Sequence, residues 1–574
     1  MVYLLSTSMN SSLETRFYTF FFLLKYLLAL IQLYKFRALL IMAVFSVRMS
    51  PLLSLLYLQF VFGTPVVDLP PAQSAACREI AVGTAKTLLF PDALADPDYL
   101  FARTHYWSAA NADSTPACVV FPTNREEVSY VVKVLQKYPA VNFAVKSGGH
   151  NPNVGFSSVD NGVLISLSSM ATTTFDADSR LAVVQPGSRW SQAIEALEPY
   201  NVTVVGGRLG DVGVGGLLLG GGLSFLSAQR GLACDSVVNY GVVLANGTIV
   251  DANATNNLEL FRALKGGGNQ FGIVTDFTLR TYPVGQVWGG HRFYNGLQTL
   301  AVIEATKRFT ETNTDNRAAV IVTFDLVIPT LDTVTSILDL SEVNLVPLLF
   351  FFYDGLQPPV GVFDDFDAIP SASSTTKTRS YGELLEENNV GSIYGFRYLL
   401  RAGTLPNLSG QTGVDLYLHA LRSWLSYISR RSLLIPGFIF SISFQPFPYT
   451  IAAASQSNGG NILNLNPADG DHMWIEYSVS WLTAAGDGVA HTMMREVTQN
   501  IASYTTDTYA NVPNSHQQSP SAVGNKILFY NDAMSDQDPF QSLDPSTYES
   551  LKSYQIKNDP TGFFSNRTGG FKFT

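Results

Sequence analysis

Asn142-Phe-Ala-Val-Lys-Ser-Gly-Gly-His-Asn151 is the stretch on which the reading of the fold turns. A short run with strand character stops at Ser147, and two glycines free the backbone just before a histidine. Glycines adopt conformations closed to other residues and let N–H groups approach an anion closely. Alone, Gly-Gly-His is a turn carrying a solvated histidine. A second glycine cluster, residues 206–222, lies downstream. Two such loops from one domain can surround a pyrophosphate with backbone amides and no lysine.

The flanking sequence alternates short strands and helices. Val119-Val-Phe121 reads as a strand, and 122–127 opens a helix running to Leu135, with Thr123 and Glu126 at capping-box spacing. Strands are predicted at 163–167, 181–184 and 237–244, the last turning at Asn246-Gly247 into Ile249-Val250. Helices are predicted at 191–197 and 258–264, and a strand at 271–279. This is a mixed α+β pattern. Residues 64–115 read as a cap of short helices. Beyond 287 the strands lengthen and alternate: Phe438, Phe440, Ile442 and Phe444 share one face, as do Met473, Ile475, Tyr477, Val479 and Trp481. Such strands suit an antiparallel sheet with one packed face, covered by helices such as 414–429.

Composition narrows the class. Of 574 residues, 46% are apolar and 14% charged, and the net charge is -10. That is a dense multi-domain globular protein. It has no basic stripe for nucleic acid. Near the N-terminus, Arg48, the apolar run 51–62 and Gly63-Thr-Pro65 follow the grammar of a secretory signal. Residues before Met42 or Met49 read as an upstream extension. The rival reading is a membrane anchor at 17–34, which Lys25 makes costly. Export is favoured and no stable membrane anchor is expected. Three cysteines occur, and their positions predict a Cys77–Cys118 disulfide with Cys234 as a buried thiol; the alternative is three free thiols in a reducing compartment. Sequons at Asn201, Asn246, Asn253, Asn407 and Asn566 fit an exported glycoprotein.

Neither G-x-G-x-x-G nor G-x-x-x-x-G-K-[ST] occurs, so neither dinucleotide fingerprint nor P-loop explains the glycines. The seven histidines are dispersed, and no metal site is expected.

Taken in order, Phe121-Pro-Thr-Asn-Arg-Glu-Glu-Val128, Val145-Lys-Ser-Gly-Gly-His150, Val212-Gly-Val-Gly-Gly216, Gly220-Gly-Gly222, Gly231-Leu-Ala-Cys-Asp235, Val243-Leu-Ala-Asn-Gly247, Leu264-Lys-Gly-Gly-Gly268 and Phe271-Gly-Ile-Val274 closely resemble the FAD-binding domain of the vanillyl-alcohol-oxidase / p-cresol-methylhydroxylase type. The nearest branch is that of the berberine-bridge-enzyme-like oxidases, especially fungal ones. Tyr530-Asn-Asp532 and 559–564 resemble that family's C-terminal segment. The resemblance implies an FAD-binding domain of two α/β subdomains at 114–286. It also implies a substrate domain at 287–525, a C-terminal segment at 526–574 returning to the first domain, an N-terminal cap at 64–113 and a leader at 1–63.

The same resemblance assigns roles. His150 falls on the histidine bonded to the flavin 8α carbon. Lys146, Ser147, Gly148, Gly149 and Asn151, with Val212, Gly213, Gly215 and Gly216, would line the pyrophosphate and ribityl chain. Asp235 and Val237 would sit near the flavin pyrimidine, and Gly272, Ile273 and Val274 on the adenine side. Many relatives add a second flavin bond from a cysteine. Here that register holds Leu209, which implies a single link, and Cys234 is out of register. Aligning a Tyr-x-Asn-Tyr pattern on Asn531 puts Phe529 and Asp532 at the tyrosines. Asp532 is then the candidate base, with a structural turn-capping role as its equal rival; Tyr530 is the neighbouring alternative. Glu476 and Gln445 lie opposite the apolar strand faces, where a solvated role competes with one at the flavin. The expected reaction is oxidation of a small organic molecule, with hydride passing to flavin N5 and O2 accepting the electrons as H2O2. An alcohol, an amine or an aromatic metabolite suits the 26 Tyr and 37 Phe. A sugar is the runner-up substrate, and a flavin-binding protein without turnover is the rival class.

Overall fold

The computed structural model describes residues 69–327, 345–431, 439–518 and 526–573. The signal and anchor readings fall outside these residues. Among the described residues no helix is long and apolar enough to cross a membrane.

Three main sheets organise the chain. In the first, Cys118–Val120 and Phe143–Lys146 flank Val163–Ser166 in parallel, and Thr87–Leu89 adds an antiparallel edge. A strand therefore interrupts the segment expected to be helical throughout. The helices Pro71–Val82 and Pro97–Thr104 stand on either side of it. The second sheet is antiparallel, in the order Thr173–Asp176, Leu181–Val184, Ile273–Arg280, Val237–Val243, Ile249–Asn253. Its Asn246-Gly247 turn forms as the sequence predicts, with Gly247 at φ 77°, a conformation that favours glycine.

The third sheet is antiparallel. Its central strands run Leu345–Tyr353, Ala318–Val327, Ile439–Phe447, His472–Trp481, Arg397–Pro406. Phe440, Ile442 and Phe444, with Met473, Ile475, Tyr477, Val479 and Trp481, are buried in one core. The long helices Gln411–Arg431 and Asp487–Tyr509 contribute Trp424, Met493 and Met494 to it. The predicted packed face is therefore the helix-covered face. Pairing in register puts Ser441, Ser443 and Gln445, with Trp474, Glu476 and Ser478, on the opposite side. Residues 526–573 run back to the first two sheets: Phe143 N–H donates to Arg567 O (3.1 Å), and Arg567 Nη2 donates to Val141 O (2.6 Å).

Two local expectations change. Helix Arg125–Lys137 is capped by Asn124, whose side chain accepts from Glu127 N–H (2.9 Å), while Glu127 Oε2 accepts from Thr123 N–H (2.9 Å). The box is shifted one residue from the predicted Thr123–Glu126 pair, because Glu127 also accepts from Ala85 N–H and so pins the edge strand's approach. Asn407, one of the sequon asparagines, is fully buried; its amide donates to Ser515 Oγ (2.8 Å) and its carbonyl accepts from Tyr417 (2.8 Å). No glycan fits there.

Cys77 and Cys118 are joined, tying helix Pro71–Val82 to the first sheet across 41 residues of chain. Closing a loop of that length stabilises by about 4 kcal/mol through the unfolded chain. Replacing both cysteines by serine is expected to lower the unfolding free energy in urea by about 3–4 kcal/mol. A loss below about 1 kcal/mol would show that the staple contributes little.

Candidate active site

One cavity encloses about 1570 Å³ of space free of protein atoms, part of it open to solvent. Its floor is the two glycine loops, in direct backbone contact. A Cβ on Gly148 would stand 2.5 Å from Gly213 Cα, and one on Gly213 would stand 2.3 Å from Gly148 N. Ser147 fastens the loops, its Oγ accepting from Gly215 N–H (3.2 Å). At Gly216, by contrast, a Cβ would meet nothing within 4 Å; the missing side chain there leaves open cavity. Bare amides at touching loops and an unfilled wall fit a dinucleotide laid along them.

Ser147, Gly148, Gly149, His150 and Asn151 line this cavity, as do Val212, Gly213, Gly215, Gly216, Gly272, Ile273 and Val274. Three expected cofactor contacts do not. Lys146 turns away, donating to Ala102 O (2.6 Å) and His105 O (2.9 Å) beneath the Tyr106 ring, and burial pulls its ammonium down to about 7. Asp235 is fully buried and ties its own loop together: Oδ2 accepts from Leu232 N–H (2.8 Å) and Oδ1 from Asn461 (2.9 Å). Val237 packs in the core beside Tyr240. Leu209 lines the cavity and Cys234 is buried away from it.

His150 is held by a stacked ring and by a hydroxyl. Trp107 stacks on its ring (centroids 4.5 Å, 9°), and Tyr398 stacks on Trp107 (4.0 Å). Its Nε2 lies 3.2 Å from Ser392 Oγ, and that hydroxyl donates to Asp211 Oδ2 (3.0 Å). Burial pulls the imidazole down to about 4, more than Asp211 raises it. The ring is neutral at ordinary pH, the state in which a nitrogen carries a nucleophilic lone pair.

Asp532 and Glu476 stand on the wall of the same cavity. Gln445 donates to Asp532 Oδ2 (2.8 Å), and Arg208 donates to the Gln445 side-chain carbonyl. Burial raises Asp532 to about 6 against the attraction of Arg208. Glu476 rises further, to about 8, because the Asp532 charge adds to its burial. The pair therefore shares a proton around neutral pH. Asn531 places it: its amide donates to Gly216 O and Leu217 O (3.3 Å each) and its carbonyl accepts from Gly222 N–H (3.1 Å). Tyr530 also lines the cavity, but its ring packs against Phe540 and Phe571 and burial drives its phenol far upward. Phe529 stacks on Trp474.

Arg208, Asp211, Ser392, Trp107 and Asp325 escaped the sequence reading. An arginine inside a glycine-rich apolar run, and an aspartate within Val320-Ile-Val-Thr-Phe-Asp-Leu-Val327, were the available signals. Asp325 sits on the same sheet face as Glu476, accepts from Ser441 Oγ (2.6 Å), and is raised by burial to about 6.

A fold with touching glycine loops, a buried neutral histidine and a paired carboxylate in one cavity defines a flavin-dependent oxidoreductase. The FAD binding domain family matches residues 116–253. An uncharacterized FAD-linked oxidoreductase of Arthroderma benhamiae is 37% identical, covering 83% of this chain and 91% of its own. The FAD-dependent monooxygenase drtC of Aspergillus calidoustus is 33% identical, over 87% and 89% respectively. Glucooligosaccharide oxidase from Acremonium strictum, an enzyme with a 6-S-cysteinyl, 8α-N1-histidyl FAD, superposes with a TM-score of 0.64 at 19% identity, over 87% of this chain and 99% of that one. The chain belongs to the FAD-linked oxidoreductases.

Gly213→Ala forces apart two backbones, an overpacking worth about 1–3 kcal/mol; its melting temperature is expected to fall. Gly216→Ala should keep the wild-type melting temperature without flavin yet bind FAD more weakly. Equal thermal stability of the two variants would contradict the loop contact.

Proposed function

We propose that the protein is an exported oxidase that oxidises a small organic substrate bearing an alcohol, an amine or an activated aromatic ring. It would carry FAD through one 8α bond to His150 and use O2 as acceptor, giving H2O2. Bound FAD would supply the electron acceptor. The chain's residues do the rest.

One observation carries the reading: the Asp532–Gln445–Arg208 chain and Glu476 stand in the cavity that His150 lines. Asp532 takes the substrate proton. Arg208, reaching it through Gln445, offsets the carboxylate charge before transfer, and Glu476 as the neutral acid donates a hydrogen bond to substrate. Leu217, Leu223, Leu400 and Phe529 line the space and exclude water. A sugar is the second reading, favoured by the hydroxyls of Ser441, Ser443 and Ser478 on the same sheet face as Glu476. Export is supported by the Cys77–Cys118 bond and by exposed sequon asparagines Asn201, Asn246 and Asn566.

Two measurements test this. Acid-precipitated wild-type protein should keep its yellow colour, with the flavin on the peptide bearing His150, and His150→Ala should release it; a colourless wild-type pellet refutes the link. For the base, kcat/KM should rise through about pH 6 as Asp532 ionises and fall above about pH 8 as Glu476 loses its proton. Asp532→Asn should lower kcat by about 10²–10⁴ with flavin content unchanged. Peroxide release across alcohols, amines and sugars that survives this substitution at full rate would remove Asp532 from the mechanism.

A further inference from the structure

The site described so far explains why His150 is neutral but not where its proton goes. We propose that Asp211, acting through Ser392, is the proton acceptor that lets His150 bond to the flavin; this rests on the single-link reading above.

The hydrogen-bond directions fix the histidine tautomer. Ser392 Oγ–H donates to Asp211 Oδ2 (3.0 Å), so its oxygen is left to accept from His150 Nε2–H (3.2 Å). The proton is thus on Nε2, and Nδ1 holds the free lone pair. Asp211 keeps a second acceptor ready: Oδ1 is buried without a hydrogen-bond partner, 3.9 Å from His150 Nε2. An orphaned carboxylate oxygen costs stability, so its retention beside an imidazole calls for a use. The geometry is held from outside as well. Arg189 donates to Asp211 O and to Gly148 O (3.0 Å), clamping the two loops that carry the pair. Trp107 blocks rotation of the imidazole out of this register.

In the step itself, the Nδ1–C8α bond forms and one C–H bond of the 8α-methyl breaks. The electron pair of that C–H bond passes into the flavin ring and then to dioxygen. Dioxygen leaves as H2O2 with two protons, one from the methyl group and one from the imidazole. The imidazole proton departs from Nε2 through Ser392 to Asp211, which releases it to solvent, and solvent returns a proton to the reduced dioxygen. Asp211 and Ser392 are positioning residues: neither touches the carbon that reacts.

The test compares full-length wild type, Asp211→Asn, Ser392→Ala, Ser392→Thr and His150→Ala. Total bound flavin is read by visible absorbance, and the bonded fraction by flavin fluorescence of acid-denatured protein on a gel. Asp211→Asn and Ser392→Ala are expected to hold FAD at wild-type stoichiometry with the bonded fraction at least tenfold lower. Ser392→Thr, which keeps the hydroxyl, should link as wild type does. Wild-type bonded fractions in Asp211→Asn and Ser392→Ala, with His150→Ala at zero, overturn the relay and leave the His150 link intact. Loss of linkage in Ser392→Thr, or variants that hold no flavin at all, would mark the two side chains as packing and also overturn it. Wild type without acid-stable flavin defeats the link itself and the relay with it.

Discussion

Gly148 and Gly213 meet backbone to backbone, at a separation that no side chain on either could tolerate. The rest of the site is arranged around that contact. It brings the end of strand Phe143–Lys146 against the start of the second glycine loop, so amides from two distant stretches point into one cavity. The nearest lysine is not recruited: Lys146 is spent on the carbonyls of Ala102 and His105. A cradle built from amide dipoles carries no full charge to be desolvated when the site closes, whereas a buried ammonium would cost several kcal/mol unless paired. Lys146 illustrates that cost, since burial draws its pKa down to about 7 where it stands.

The carboxylate wall follows the opposite logic. Asp532 rises to about 6 although the Gln445 hydrogen bond and the Arg208 charge pull it downward, so desolvation outweighs both attractions. Had Arg208 bonded directly to Asp532, the carboxylate would be held low and would be a poor base at neutral pH. Interposing Gln445 relays a hydrogen bond while keeping the guanidinium one side chain away. The second carboxyl, Glu476, resists ionisation beside a charged Asp532 in so dry a place and rises to about 8. Two carboxyl groups with separated affinities give an acid and a base from the same residue type.

Much of this was legible in the sequence because it is local. The glycine loops, His150, the Asn246-Gly247 hairpin and the alternating strands at 440–444 and 473–481 each announce themselves within ten residues. The side of the large sheet that bears Gln445 and Glu476 followed from period-two alternation alone. What stayed hidden depends on where side chains of distant segments end. Lys146 and Asp235 sit inside cofactor motifs yet point elsewhere, and nothing in their neighbours' identities tells which way they turn. Asn407 lies in a sequon, but its burial comes from Ser515 and Tyr417 on other elements. Arg208, Asp211 and Ser392 matter through partners far along the chain, so spacing carries no trace of them.

Leu209 bears on how much each remaining contact must do. A cysteine there could pin the flavin ring at a second point; leucine lines the cavity but forms no such bond. In the single-link reading, orientation of the ring would fall to the imidazole end and to the opposite wall. At the first, Trp107 and Tyr398 stack in series on His150, so the imidazole plane is set by aromatic packing reaching to strand Arg397–Pro406. At the second, Asn531 bonds to Gly216 and Leu217 within the helix Val214–Leu219 and to Gly222 just beyond it, fixing Asp532 relative to the same glycine loop that floors the cavity. The C-terminal segment is thus the common reference for floor and base, and a small shift in its seat would move the base relative to any substrate while leaving the floor in place. Proton transfer demands heavy-atom distances near 3 Å. Three hydrogen bonds at one asparagine hold its neighbour Asp532 to that tolerance.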